Sequence, residues 1–464
     1  MPGLFQGLEI GKRALLTHQV VLQTIGHNIA NVNTPGYSRQ RVQIGATLPE
    51  NSTIGSIGTG INADNVRQVR DLFLGQQLRA DTKSQGQWNY KEKILSQIES
   101  FFAEPADGTL SDQLNKFWDS WSEVSTNPTS IGSRVAVTEQ TNLMVNSFHE
   151  MANQLNRLRN STDADLVALT SDVNRLASEI SSLNRQIKSQ EIGQERANDL
   201  RDARDTLVDE LSILVDVNTT EDASGGLLVF IGAMELVGGV GFQELQSNVE
   251  NGGGFSKHTL TWKGSTVNIK NLNGQLRALT EMRDDVIPGY MGELDRLVTT
   301  LVTEVNGLHR TGTGLDNSTG RTFFDSAFQT AATIRLNSDL TDHPERLAAS
   351  ASGEPGDNTI ALAVHALRTQ RVMASGTTSI NDYYNGIVGR LGVETHQANS
   401  FASNYEMLVE QIKNTRDSVQ GVSLDEEMAN MVKFQHAYDA AARVITSFDQ
   451  ALDTVINTMG VVGR

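Results

Sequence analysis

Apolar residues recur along this chain at the spacing of helices that bury one face. Toward its end, Met431, Phe434, Tyr438, Ala441, Ile445, Phe448, Leu452, Val455 and Met459 step alternately by three and four without a miss, the pattern of a coiled-coil seam. Ser423 and Glu426 precede the run at capping-box spacing, and Gly460 follows where a left-handed C-terminal cap is expected. These signals predict a helix over 424–459. Near the start, Leu8, Leu15, Leu22 and Ile29 repeat every seven residues, with Leu4, Gly11, His18 and Ile25 at the alternate spacing. They predict a second long helix over 4–30. Asn33-Thr34-Pro35-Gly36 closes it with a type II turn, in which proline fixes one dihedral and glycine supplies positive φ.

More of the same pattern lies between. Leu166, Leu169, Val173, Leu176, Ile180, Leu183 and Ile187 form another heptad run; Leu200, Leu207, Leu211 and Leu214 follow after Gly193. A further run is Ile287, Tyr290, Leu294, Leu297, Leu301, Val305 and Leu308. The glycine pairs between 217 and 280 break the pattern, separating short β-prone runs such as Leu227–Ile231 and His258–Trp262. Lesser β patches are expected over 37–66 and 333–336. The expected fold is mainly α with small β-rich insertions, built from long antiparallel helices. Its expected units are a terminal coiled-coil domain (1–40 plus 420–464), a discontinuous helical domain (41–216 plus 281–419) and a small outer β domain (217–280).

One apolar stripe does not repay the entropy of ordering a helix of this length. The two end helices can pair, yet apolar flank residues such as Val444 and Ile456 remain outside the seam. Further burial is expected from other copies of the protein, as in a filament or ring subunit.

Composition narrows the partners. Across 464 residues, 38 basic and 55 acidic side chains give a net charge of −17, which repels nucleic-acid phosphates and anionic lipid surfaces. Neither nucleic acid nor membrane is an expected partner. Cysteine is absent, which removes disulfides, thiolate nucleophiles and cysteine-ligated zinc. Met1-Pro2-Gly3-Leu4-Phe5 lacks the basic-then-apolar make-up of a cleaved signal peptide. No run approaches the ~20 apolar residues of a transmembrane helix.

Candidate chemistry is thin. Adjacent acids such as Glu221-Asp222 and Asp284-Asp285 offer a formal glycosidase dyad, but solvated surface is the plainer reading among 55 acids. His27, His309 and His365 have no second histidine at metal spacing. Gly58-Thr59-Gly60 and Gly312-Thr313-Gly314 lack a dinucleotide fingerprint. Sequons at Asn51, Asn160, Asn218 and Asn317 are of the short kind that recurs by chance. No catalytic residue, metal or cofactor is expected.

The segment Ile25-Gly26-His27-Asn28-Ile29-Ala30-Asn31-Val32-Asn33-Thr34-Pro35-Gly36-Tyr37 resembles the signature of the flagellar rod, hook and hook-associated proteins, carried here by Ala30, Asn31, Thr34, Gly36 and Tyr37. The stretch from Ile57 to Leu74 resembles its continuation. Asp199–Asp205, Val305–His309, Gly312–Asp316, Phe323-Phe324, Gly356–Asn358 and Gly421–Glu427 resemble the branch that joins hook to filament. The resemblance implies a non-catalytic subunit, exported by the flagellar type III apparatus and assembled extracellularly at the distal end of the hook. Implied partners are copies of itself, hook protein, the next hook-filament junction protein, and a cytoplasmic export chaperone at the C-terminal region. The stripes Leu8, Leu15, Leu22, Ile29 and Met431, Phe434, Tyr438, Ile445, Phe448, Leu452, Val455, Met459 then become assembly seams.

Overall fold

The computed structural model describes residues 3–52, 55–102, 108–193, 196–222, 224–239, 241–252, 255–269 and 272–458. Met459 and Gly460, the last seam position and its cap, lie outside them. The chain opens with α1 (Gly3–Ala30), a ribbon of β1 (Gln40–Ala46), β2 (Glu50–Ser52), β3 (Gly55–Ile57) and β4 (Ile61–Gln68), then α2 (Leu72–Phe102), α3 (Leu110–Thr126), α4 (Ile131–Gln190) and α5 (Asn198–Leu214). The insertion carries β5 (Val217–Glu221), β6 (Leu227–Ile231), β7 (Met234–Val237), β8 (Leu245–Gly252) and β9 (Phe255–Trp262). The return is helical: α6 (Gln275–Glu281), α7 (Ile287–His309), α8 (Ser338–Asp342), α9 (Thr359–Ala366), α10 (Ile380–Gln420) and α11 (Leu424–Asp453).

The heptad run at 166–187 is the second half of α4, a single helix of 60 residues and about 90 Å at 1.5 Å per residue. Ser130 caps it by accepting from the Ser133 amide at 3.2 Å. Its buried stripe (Val137, Met144, Phe148, Leu155, Leu166, Val173, Ile180) packs on α3, α5 and α7. One continuous core joins the second half of α2, α3, α4, α7 and the first half of α10, together with inward residues of β6 and β9. The first half of α2 meets the second half of α10 with only Leu78, Val409 and Ile412 in a separate small cluster.

The strands pair as small antiparallel sheets. β1 pairs with β4, β2 with β3, β5-β6-β7 form a sheet of three, and β8 pairs with β9. The β1–β4 ribbon lies against α1 and also meets the helical body at α5, where the Asn198 carbonyl accepts from Gln68 Nε2 at 2.7 Å and Asn198 Nδ2 donates to the Val66 carbonyl at 3.0 Å. The insertion's strands end at Trp262. Residues 275–280, grouped with it by the glycine-rich pattern, are helical because Leu276, Leu279 and Met282 follow a helical period and are buried. A π-helical turn at Met282–Val286 joins α6 to α7 and carries Arg283, buried between Asp163 (2.6 Å) and Asp284 (2.9 Å). The expected β patch at 333–336 is only a bridge between Leu336 and Phe324. Thr333 instead belongs to a turn on Thr330.

Candidate functional site

The two end helices, α1 and α11, pair with each other. Gly7 and Gly11 make the approach possible. A Cβ on Gly7 would stand 2.2 Å from the tip of the Phe448 ring, and one on Gly11 2.8 Å from Ile445. Farther along, the His18 and Phe434 rings are 5.8 Å apart, and burial lowers the His18 pKa. On α11 only Glu427 and Ala441 are buried. Met431, Phe434, Tyr438, Ile445, Phe448, Leu452 and Val455 form its least exposed line yet stay half-buried.

On α1 the fully covered positions are Gly11, Thr17, Val21, Thr24, Ile25 and Asn28. They face α11 on one side and the β1–β4 ribbon on the other, where Gly60 lies against the Ile10 backbone. Leu8, Leu15, Leu22 and Ile29 are half-buried, on the rim of the pair. Phe5, Leu16, Met428, Val432, Val444 and Ile456 are exposed. The paired helices therefore present an apolar surface that this chain does not cover.

The signature loop fastens the pair to the body. Asn31 donates to the His27 carbonyl at 3.0 Å, and Thr34 donates its hydroxyl to Asn31 Oδ1 at 3.1 Å. The Tyr37 amide donates to the Thr34 carbonyl at 3.2 Å, and Gly36 has φ +78°, as the type II turn requires. A Cβ on Gly36 would also sit 2.3 Å from Thr206 Oγ1 on α5. Ala30 is exposed at the last position of α1. Beneath the loop lies Asn28, whose amide is fully engaged. Its Oδ1 accepts from Tyr37 OH (2.8 Å) and the Gln40 amide (2.9 Å); its Nδ2 donates to the Gln40 carbonyl (2.9 Å) and Glu427 Oε2 (3.1 Å). One side chain thus joins α1, the loop, the ribbon and the start of α11.

The acidic run on α5 completes the junction. Asp199 accepts from Gln40 Nε2 (2.7 Å) and lies 3.2 Å from His27 Nε2. Asp202 accepts from the Ser38 amide (3.0 Å) and from Arg70 (2.9 Å), and Arg70 also pairs with Asp205. Burial raises the Asp202 carboxyl, partly opposed by the Ser38 amide and Arg70. Burial, with the Asp199, Asp202 and Glu427 carboxylates nearby, pushes the Tyr37 phenol above its ordinary value. Arg39 pairs with Glu426, and its amide donates to the Gln420 carbonyl at 2.7 Å. Asp199, Asp202, Arg70, Arg39 and Glu426 thus each join two elements.

The periodicity pointed to none of Asn28, Gln40, Arg70 and Glu427 individually, since they are polar residues far apart in sequence. The available signal was the signature itself, which contains Asn28, and the acid-rich 199–205 run. Among the remaining histidines, His309 is fully buried, with Nδ1 donating to the Arg321 carbonyl and Nε2 accepting from the Ala348 amide, both at 2.9 Å. His365 Nδ1 lies 2.9 Å from the Trp118 carbonyl. Asp284 pairs with Arg283 and Lys257. Among the described residues no group of three or more His, Cys, Asp or Glu could hold a metal, and no helix is long and apolar enough to cross a membrane.

Both ends of the chain match flagellar families. Residues 8–37 match the flagella basal body rod protein family, and residues 417–459 match the flagellar basal body rod FlgEFG protein C-terminal family. With the paired end helices, these matches define the class as flagellar axial proteins. The middle is more specific: residues 95–324 match the helical domain of the flagellar hook-associated protein FlgK. Flagellar hook-associated protein 1 of Bacillus subtilis (strain 168) is 34% identical over 508 residues, covering 100% of both chains. The protein of that name from Escherichia coli (strain K12) is 23% identical over 535 residues, covering 95% of this chain and 97% of its own. The solved flagellar hook junction protein FlgK of Burkholderia pseudomallei shares the fold, with a TM-score of 0.67 at 15% identity over 74% of this chain and 100% of that one. The chain belongs to the flagellar hook-associated protein 1 family, and with it to the structural subunits of the hook–filament region.

Proposed function

We propose that the α1–α11 pair is the part of this subunit that packs against further copies in a ring or helical layer, joining hook protein below to the next junction protein above. The observation that carries this reading is the half-buried seam. Phe434, Tyr438, Ile445, Phe448 and Leu452 are only partly covered by α1, and the exposed Val432, Val444 and Ile456 flank them. Apolar surface left in this state on a narrow pair of helices is stabilised by burial in an assembly. In this reading residues 1–40 and 420–464 act as the axial unit, 41–216 with 281–419 as the body, and 217–280 as the outer insertion. The stripe Leu8, Leu15, Leu22 and Ile29 becomes the contact edge of α1. Ala30, Asn31, Thr34, Gly36 and Tyr37 set the angle between axial unit and body. The subunit carries no catalysis.

Before assembly the same apolar line needs cover. A cytoplasmic export chaperone with a hydrophobic groove fits the amphipathic C-terminal helix, and export through the flagellar type III apparatus fits the extracellular destination. The test uses a deletion strain complemented in trans. The deletion should give hooks without filaments, and wild-type chain should restore them. Ile445→Asp should be secreted but leave hooks bare. Normal filaments on Ile445→Asp subunits would overturn the assignment of the seam.

A further inference from the structure

The β1–β4 ribbon carries an uncompensated charge. Its register sets Arg41 directly opposite Arg67, and both are exposed. Like charges facing each other across two strands repel. Among the described residues no carboxylate forms an ion pair with either guanidinium, whereas Arg39, two positions before Arg41, is paired with Glu426. The one acid on these two strands, Asp64, sits at the bulge beside Gly45. The chain as a whole has a net charge of −17, so carboxylates that could neutralise this pair are plentiful on the surface of a second copy.

The opposite arrangement stands on α10. Glu406 and Glu410 are one helical turn apart, both exposed, and neither forms an ion pair among the described residues. Carboxylates at this spacing destabilise the helix that bears them. Glu410 borders a shallow groove with Met407, Gln411 and Asn414, and Met407 is exposed within it. The two pairs match in spacing as well as sign, since residues opposed across strands and residues one turn apart on a helix are both separated by about 5–6 Å.

They do not meet within one chain. The ribbon is tied to the far end of α10 through the Arg39 amide and the Gln420 carbonyl, and Glu410 lies ten residues back, about 15 Å along the axis. We propose that the Arg41–Arg67 face of one copy docks on the Glu406–Glu410 face of α10 in a second copy. Two ion pairs form side by side, and the arginine stems lie over Met407. This contact rests on the reading that the chain self-assembles. It adds a lateral contact outside the α1–α11 seam, and it compensates two repulsions that each copy carries alone.

The native absence of cysteine makes the test clean. Full-length chain bearing Arg41→Cys and Glu410→Cys is expressed in the deletion strain, and purified flagella are treated with a short bis-maleimide. A ladder of crosslinked multimers is expected, with none beyond dimer from either single variant. Absence of a ladder from incorporated double-cysteine chain overturns the proposal. Charge reversal gives a second reading that does not depend on crosslinking. Arg41→Glu with Arg67→Glu should lower incorporation about tenfold, and adding Glu406→Arg with Glu410→Arg to the same chain should restore it. Failure of that restoration, or incorporation of the first reversal at the parent level, overturns the contact. If the parent chain itself is missing from purified flagella, the assembly reading fails, and the contact fails with it.

Discussion

Gly36 offers the sharpest test of how the α1–α11 pair is fastened to the body. Replacing it with alanine meets two separate obstacles. Its φ of +78° is a left-handed conformation that costs a residue with a Cβ about 1–2 kcal/mol. The new methyl would also stand 2.3 Å from Thr206 Oγ1, so that hydroxyl must turn away from the Asp202 carbonyl to which it donates at 3.0 Å, at about 1 kcal/mol for the lost hydrogen bond. The sum is about 2–3 kcal/mol, or roughly 30- to 150-fold more frequent opening of the loop. Hydrogen exchange at the Tyr37 and Ser38 amides reads this directly, because they donate to the Thr34 carbonyl and to Asp202 Oδ2. In a Thr206→Ala background the same Gly36→Ala change should cost only its backbone share, so the double-mutant cycle should show about 1 kcal/mol of coupling. The reasoning is refuted if Gly36→Ala leaves both amides exchanging within about twofold of the parent rate, or if Thr206→Ala leaves its cost unchanged.

Other outcomes follow from the same geometry. Burial holds the His309 pKa down at about 4, from 6.5. The unfolded chain therefore takes up this proton first, and the stability that His309 contributes is complete above 6.5 and lost as pH falls toward 4, about 3 kcal/mol in all. Urea midpoints at pH 7 and pH 5 should show a shallower loss for His309→Gln than for the parent. Leu452→Asp should leave the thermal transition of the body in place while abolishing incorporation into flagella, scored by electron microscopy alongside secretion. Asn28→Asp places a carboxylate against Glu427, which Asn28 now approaches at 3.1 Å. The start of α11 should loosen, seen as faster proteolysis near 420–427 at pH 7 than at pH 4.5.

The sequence revealed those parts of the fold in which burial is apolar and local. The α4, α7 and α11 stripes are runs of leucine, isoleucine, valine and aromatics on one helical face, and the structure buries or half-buries most of those positions. α2 stayed hidden because its buried face passes through Leu78, Thr82, Gly86 and Tyr90, too polar and too small at its centre to read as a stripe. Gly86 is needed there, as a Cβ would stand 2.3 Å from the Ile213 carbonyl oxygen. α1 is similar: half of its covered residues are Thr17, Thr24 and Asn28, chosen for hydrogen bonding and close approach, while its leucines sit at the rim. The run at 333–336 has strand-like composition but no partner strand, and composition alone does not supply one.

The distance in sequence between the two paired end helices has a kinetic consequence. Asn28 and Glu427 touch across 399 positions, and all of the body lies between them. The helices within the body can find their neighbours early through shorter loops, whereas α1 must wait for the last helix to be made and brought back. Closure of this pair is therefore a late event that reports on everything before it. A chain cut short, or one whose body has not collapsed enough to bring its ends together, offers an unpaired α1 with no junction beneath it. Competence to assemble is in this way conditional on a finished and folded chain.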